Sequence, residues 1–377
     1  MTDLQITAVT AIPLTARIEA GTRTSQGDYT DVSMVLVEVA TADGITGHGE
    51  CLGRFGPRAY AAIVEELLAP RLLGASAFDI ARHAKTLRRV LSGRSGGMLM
   101  EAIAGVDIAL WDVVGKALGQ PIHRLLGGIG RDRVECYASS INWSEAERMA
   151  EETRAALALG FRAIKVKLGA PAALAIERAR LLRDVAGPAV ALSADANWAY
   201  DLDDAVKVGR ALAELDYAWL EEPIAPEDVA GYAHLRRAVP IRLAAGESDY
   251  TAEHAAELID RRLVGVIQPD VARAGGISET RKIAALAEAH HVHYAPHVGW
   301  SGAICVAASL QLAAAAPNFL AFECMVPAHP LREALTTEPV GDCRSLVDGK
   351  VAVPKGPGLG VEIDWDTVGR YRVDRDS

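Results

Sequence analysis

The sequence has no CxxC pair, no Gly-Lys-Ser/Thr phosphate loop and no apolar run long enough to span a bilayer. Its five cysteines, Cys51, Cys136, Cys305, Cys324 and Cys343, are odd in number. That argues against a disulfide framework or a zinc knuckle and fits a reducing cytoplasm. Cys324 follows Glu323, but with no paired base it is read as a bystander. The first 14 residues lack the basic start and apolar core of a signal peptide. Basic residues are not in excess either: the net charge is −10 over 377 residues, which argues against nucleic acid as a partner. An anionic substrate therefore needs a local cationic centre, because the average field repels it. The glycine clusters at 127–130 and 356–360 do not join a strand to a helix as a dinucleotide site requires, so no nucleotide is expected.

Half of the residues are hydrophobic, enough for two cores. Through the second part of the chain an ionisable residue ends each short apolar run: Lys167, Asp195, Glu221, Glu247, Asp270, His297 and Glu323. The intervals are 28, 26, 26, 23, 27 and 26 residues. Each is the length of one strand plus one helix, and repeated βα units with right-handed crossovers close into a TIM-type α/β barrel of seven or eight units. Active sites of such barrels lie at the carboxyl ends of the strands, where all seven residues fall.

Residues 1–128 read as an N-terminal α+β capping domain. Ile6–Leu14 and Val32–Ala40 alternate like antiparallel strands, and an Asp43-Gly44 turn leads into a third at Ile45–Glu50. Between the first two, Thr15–Asp31 is polar and reads as a lid loop. GVDIALWDVVGKALGQP has the spacing of a buried helix stopped by Gly119 and Pro121. The barrel is expected over 129–346, with strands ending at Ala138, Lys167, Asp195, Glu221, Gly246, Gln268, His297 and Glu323. A capping box at Ser144 and Glu147 should start its first helix. Residues 347–377 should pack back on the capping domain.

Asp195, Glu221 and Glu247 end three consecutive strands, so their carboxylates should converge. Like charges repel unless a cation sits between them, and an all-oxygen set suggests Mg2+ rather than zinc. Glu222 should face the other way. Lys165 and Lys167, two apart on one strand, should both point inward. As neighbouring ammonium groups they should depress each other's pKa, leaving Lys167 able to accept a proton. Asp270 and His297 end adjacent strands, and the carboxylate fixes the imidazole tautomer. Lys165 and a protonated Glu323 could stabilise the charge of an enediolate formed by removing the proton next to a carboxylate.

KVK, DAN, EEP, GE, QPD with a following GG, PH and GPGLG, together with GVDIALWDVVGK, resemble the enolase superfamily and, within it, the mandelate racemase subgroup. The resemblance covers essentially the whole chain. It implies one Mg2+ on Asp195, Glu221 and Glu247, with Lys167 and His297 as bases, Asp270 as the partner of His297, and Glu323 as the electrophile. It also implies a cytoplasmic enzyme of carbohydrate catabolism, expected as a homo-oligomer. The first expectation is a Mg2+-dependent lyase that dehydrates a sugar acid, aldonate or aldarate, to a 2-keto-3-deoxy acid. The alternative is an isomerase, either a racemase/epimerase or an aldarolactone cycloisomerase, working through the same enediolate. Asn197 of DAN and the arginines Arg17, Arg23 and Arg54 are the candidate substrate-binding residues, the arginines for a distal carboxylate.

Overall fold

The computed structural model describes residues 3–24, 27–93 and 95–373, and side chains outside 19–29. Three strands, β1 (Ile6–Thr24), β2 (Gly27–Thr41) and β3 (Thr46–Cys51), form an antiparallel sheet. The expected lid loop is thus mostly strand, since β1 and β2 extend along one another to Thr24 and Gly27 with a register shift between Arg17 and Thr22. Among its described side chains, one polar pair meets across the strands. Thr15 and Ser33 share a hydroxyl hydrogen bond of 2.8 Å, and Arg17 stands opposite Asp31.

The helix Gly97–Leu118 lies across this sheet, and its close approach explains why β3 carries glycine at alternate positions. A Cβ on Gly49 would overlap the Gly105 carbonyl, and one on Gly47 the Ala109 carbonyl. The opposite face of the helix is polar and meets the second domain. Asp107 accepts from Ser278 N at 2.9 Å, Trp111 Nε1 donates to Ser278 Oγ at 2.9 Å, and Arg273 pairs with Glu101 at 3.2 Å. Asp112 accepts from His48 N and Leu359 N at 2.9 and 2.8 Å, tying the C-terminal segment to the cap. Hydrogen bonds to charged groups contribute about 1.5–3 kcal/mol each.

Eight parallel strands make the second sheet: β4 (Arg133–Ile141), β5 (Ala163–Lys167), β6 (Ala191–Asp195), β7 (Tyr217–Glu221), β8 (Leu243–Ala245), β9 (Val266–Ile267), β10 (His293–Tyr294) and β11 (Phe322–Met325). Their order runs from β10 back to β4 and then to β11. A parallel bridge between Tyr294 and Phe319 joins the two ends of the path into a ring. One helix links each strand to the next, so each crossover stands outside the ring. The first of these, Ala146–Ala158, has Glu145 as its N-cap without a side-chain bond. The expected capping box is absent because the helix starts one residue later than Ser144 would cap, and Ser144 Oγ donates back to Asn142 O at 3.3 Å.

The C-terminal segment contacts both domains. A short strand, β12 (Lys350–Ala352), pairs antiparallel with β4, while Val373 N donates to Pro13 O at 2.9 Å. Among the described residues no helix is long and apolar enough to cross a membrane.

Two glycine substitutions separate close approach from mere flexibility. Gly49→Ala should lower stability by about 1–3 kcal/mol through overpacking. Gly369→Ala, at an exposed position of the helix Trp365–Tyr371 with open space around it, should raise it by up to about 1 kcal/mol. Urea unfolding midpoints check both.

Candidate active site

The strand register brings the ionisable residues together. Lys167, Asp195 and Glu221 are direct neighbours across β5, β6 and β7. Glu247 comes just after β8, behind Gly246 at φ 119°, and Asp270 and His297 form a parallel bridge beyond β9 and β10. One ligand atom from each of Asp195, Glu221 and Glu247 lies within 4.8 Å of the others, and all three residues are buried.

Lys165 Nζ sits 2.6 Å from Glu221 Oε1, 3.0 Å from Glu323 Oε1 and 3.8 Å from Asp195 Oδ2, over the Tyr137 ring. Lys167 Nζ donates to Asp195 Oδ2. At the other end of the carboxylate row, His297 Nε2 is 3.3 Å from Glu247 Oε2, and its Nδ1 is 2.8 Å from Asp270 Oδ2. Asp270 Oδ1 accepts from Ala272 N at 2.8 Å, so the imidazole partner is itself held. Glu323 accepts from Ser139 Oγ at 2.7 Å and from the backbone of Val298 and Gly299 at 2.7 and 3.0 Å.

Two electrostatic expectations are corrected by this packing. Burial alone would lower both lysines, but the carboxylates outweigh it and the repulsion between the two ammonium groups. Lys165 is driven well above its ordinary range by Glu221 and Glu323, and Lys167 is raised by Asp195. Burial would likewise protonate Glu323, yet Lys165, His297, Gly299 N and Ser139 hold it well below the usual carboxylate range. The groups around it thus favour the carboxylate over the protonated form. The surplus charge appears at Glu221, which burial and the neighbouring Asp195, Glu323 and Glu247 push up to about 7 against the pull of Lys165. His297 is raised, because Glu247, Glu323 and Asp270 overcome its burial.

Glu222 stands outside the trio, as expected, but it is buried rather than turned to solvent. At φ 38° the chain leaves the strand alternation there, and its carboxylate accepts from Gly246 N at 3.1 Å and from Trp198 Nε1. Several supporting groups escaped the sequence reading. Gln268 Nε2 donates to Glu221 Oε2 at 2.7 Å. Arg332, buried, donates to Gly299 O at 2.5 Å and Ser301 O at 2.7 Å, holding the loop after His297. Glu50 of the cap is fully buried and accepts from Gly302 N and Cys305 N at 2.7 and 2.8 Å, at the start of the helix Ala303–Ala315. The available signals were slight: a glutamine two before Asp270, and a charge ending an otherwise apolar strand at Glu50.

A cavity of about 350 Å³ opens over the cluster. Lys167, Glu247, His297 and Glu323 form its floor, and Asn197, Arg54, Tyr60 and Glu101 are among its walls. Of the candidate arginines, Arg54 lines the cavity. Arg17 is exposed on β1 and does not line it, and the side chain of Arg23 lies outside the described residues.

A ring of parallel strands with a separate α+β cap, and with amine, imidazole and clustered carboxylates at the strand ends, defines a barrel enzyme of acid–base chemistry. The model of the enolase C-terminal domain-like family matches residues 148–367, and that of the mandelate racemase / muconate lactonizing enzyme N-terminal domain matches 6–127. The chain belongs to the enolase superfamily, in its mandelate racemase and muconate lactonizing enzyme branch. It is 33% identical to the D-galactarolactone cycloisomerase of Agrobacterium fabrum, over 98% of this chain and 99% of that one. With the arabinonate dehydratase of Saccharolobus solfataricus it shares 32% identity over 88% of each. A magnesium-bound racemase from Streptomyces coelicolor A3(2) superposes with a TM-score of 0.89 at 31% identity, covering 98% of this chain and 100% of that one.

Glu50 gives a pH test of the cap contact. Burial raises its pKa from 4.5 to about 7 against the pull of the Cys305 and Gly302 amides. The folded protein thus holds a proton the unfolded chain releases, and stability falls as pH rises from about 4.5 to about 7, by on the order of 3 kcal/mol from this group. Glu50→Gln should flatten that slope, while lowering stability at pH 5 because one amide loses its acceptor. Urea unfolding of both proteins across this pH range measures the difference.

Proposed function

We propose that the protein is a Mg2+-dependent enzyme that removes the proton next to the carboxylate of a sugar acid and expels the oxygen on the following carbon, giving a 2-keto-3-deoxy acid. The observation that carries this is the row Asp195, Glu221, Glu247 with Lys167 at one end and His297 at the other. The donor set is all oxygen, and Glu247 Oε2 is buried with no hydrogen bond, His297 Nε2 being 3.3 Å away. Four carboxylates, counting Glu323, surround two ammonium groups. That suits a hard divalent cation better than a further lysine. Held by Asp195, Glu221 and Glu247, Mg2+ would bind the substrate carboxylate and draw charge away from its α-carbon.

The chain's own groups supply the rest. Lys167 takes the α-proton once Asp195, engaged by the cation, no longer holds it charged, and Lys165, kept charged by Glu221 and Glu323, would stabilise the oxygen on which negative charge grows. His297, oriented by Asp270, protonates the departing β-hydroxyl, and the enol then tautomerises to the ketone. When no leaving group is present, a proton returned to the other face gives an epimer. Opening of an aldarolactone is the same elimination with a ring carboxylate leaving, and Arg54 in the cavity wall favours keeping it as the second reading. The names of the relatives, dehydratases and cycloisomerases, span these outcomes. Asn197 is assigned to the substrate, and the site to a cytoplasmic, homo-oligomeric enzyme.

A screen of sugar acids and their lactones with Mg2+ in D2O, read for 2-keto acid and for deuterium exchange, tests the proposal. Keto acid formation is the expected result, and absence of exchange with every carboxylate would refute the mechanism. Lys167→Ala should lower exchange in one configurational series by about 100- to 10,000-fold. Calorimetry should find Mg2+ binding in that variant unchanged or tighter, because Lys167 competes for Asp195.

A further inference from the structure

The cations around the cavity differ in what they face. Lys167 is matched by Asp195, and Arg273 by Glu101. Arg54 has neither an ion pair nor a hydrogen bond among the described residues, and its Nε is buried without an acceptor. Arg54 is half-buried, and a guanidinium nitrogen that has lost water and found no acceptor is costly to keep, unless a ligand supplies one.

Its position says which part of the ligand that is. A Cβ placed on Gly299 would lie 2.7 Å from Arg54 Nη2, 2.5 Å from His297 Cε1 and 2.8 Å from His297 Nε2, so guanidinium and imidazole are neighbours. Arg54 therefore stands at the His297 end of the carboxylate row, away from Lys167. The first substrate carboxylate is taken up at the row itself. A cavity of about 350 Å³ is at the small end of ligand pockets and suits a short-chain acid.

We propose that Arg54 is the counter-ion of a second carboxyl group, which makes the substrate a dicarboxylic sugar acid or its lactone in preference to a monocarboxylic aldonate. This rests on the elimination reading above and narrows its substrate. Two forms of diacid bring the same group to Arg54. In the open chain the second carboxylate stays on the molecule: Lys167 takes the α-proton, the C–O bond on the next carbon breaks, and the hydroxyl leaves as water with a proton from His297. In a lactone closed on that oxygen, the bond from carbon to the ring oxygen breaks and its electron pair leaves on the released carboxylate. No proton is then needed for departure, and Arg54 receives the charge directly. Both routes end in the tautomerised 2-keto-3-deoxy diacid.

The test compares matched substrates and one variant. Wild-type kcat/KM should be about 100-fold higher for an aldarate or its lactone than for the aldonate of the same configuration, and Arg54→Gln should erase most of that ratio. Partial recovery of Arg54→Ala by added guanidinium would identify the charge, rather than the packing, as what was lost. The product trace tells ring opening from loss of water, and either one supports the assignment. An aldonate preferred by the wild type, or equal losses on both substrates, overturns it. Calorimetry with glutarate and butyrate in the presence of Mg2+ keeps the two proposals apart. A glutarate advantage lost in Arg54→Gln supports Arg54 even if nothing turns over, whereas turnover with no such advantage overturns Arg54 alone.

Discussion

Everything at the mouth of the barrel depends on confining more negative charge than its own lysines can balance. Asp195, Glu221, Glu247 and Glu323 are buried, and the ammonium groups that meet them belong to Lys165 and Lys167. Buried carboxylates at such separations are tolerated only when each finds donors or a cation. The fold supplies donors up to a point, from Gln268 to Glu221, from Asn197 N to Asp195, and from two backbone amides to Glu323. What is left over shows at Glu221, pushed up to about 7. The same imbalance that strains the site without a cation would make it a strong ligand set for one.

The spacing of charged residues revealed the site because a charge within a barrel strand needs a buried partner, as Lys165 has, whereas one at the strand end opens on the cavity. Asp195 and Glu221 are therefore legible as strand ends, and the observed strands stop there. The hairpin of β1 and β2 was not legible, since Thr15 is satisfied across the pair by Ser33, and a single sequence does not show which partner faces it. The protonation states were misjudged for a related reason. Two lysines on one strand suggested mutual repulsion, but the pKa of each is governed by carboxylates contributed by other strands. Glu50 and Arg332 escaped notice because they act on backbone groups more than 200 residues away or in another loop, and such contacts leave no local pattern.

Those long-range contacts explain how the two domains work on one reaction. Glu50 ends β3 and holds the first turn of the helix Ala303–Ala315, while Arg332 holds the carbonyls of the segment that carries Gly299, whose amide in turn bonds Glu323. A cap residue thus shares in setting where His297 and Glu323 stand. Cys305, whose amide Glu50 accepts, directs its thiol toward Asp270 Oδ1 at 3.7 Å, on the far side of the imidazole pair. A change in how the cap sits would reach the acid–base groups through atoms in contact, without any larger conformational switch.

The division of the cavity wall follows the same line and bears on how substrate preference can change in such a protein. Lys167, Glu247, His297 and Glu323 come from the barrel, where each is fixed by a strand end and by neighbours that also serve the chemistry. Leu52, Arg54, Phe55, Tyr60 and Glu101 come from the cap, from the segment after β3 and from the helix packed across the sheet. Replacing a barrel residue disturbs the balance of buried charge. Replacing Arg54 removes a cation that has no protein counter-charge among the described residues, so the cluster below it keeps its pairs. On the assignment proposed for Arg54, preference between acids would shift by exchange of cap residues while the paired cluster of the barrel is kept.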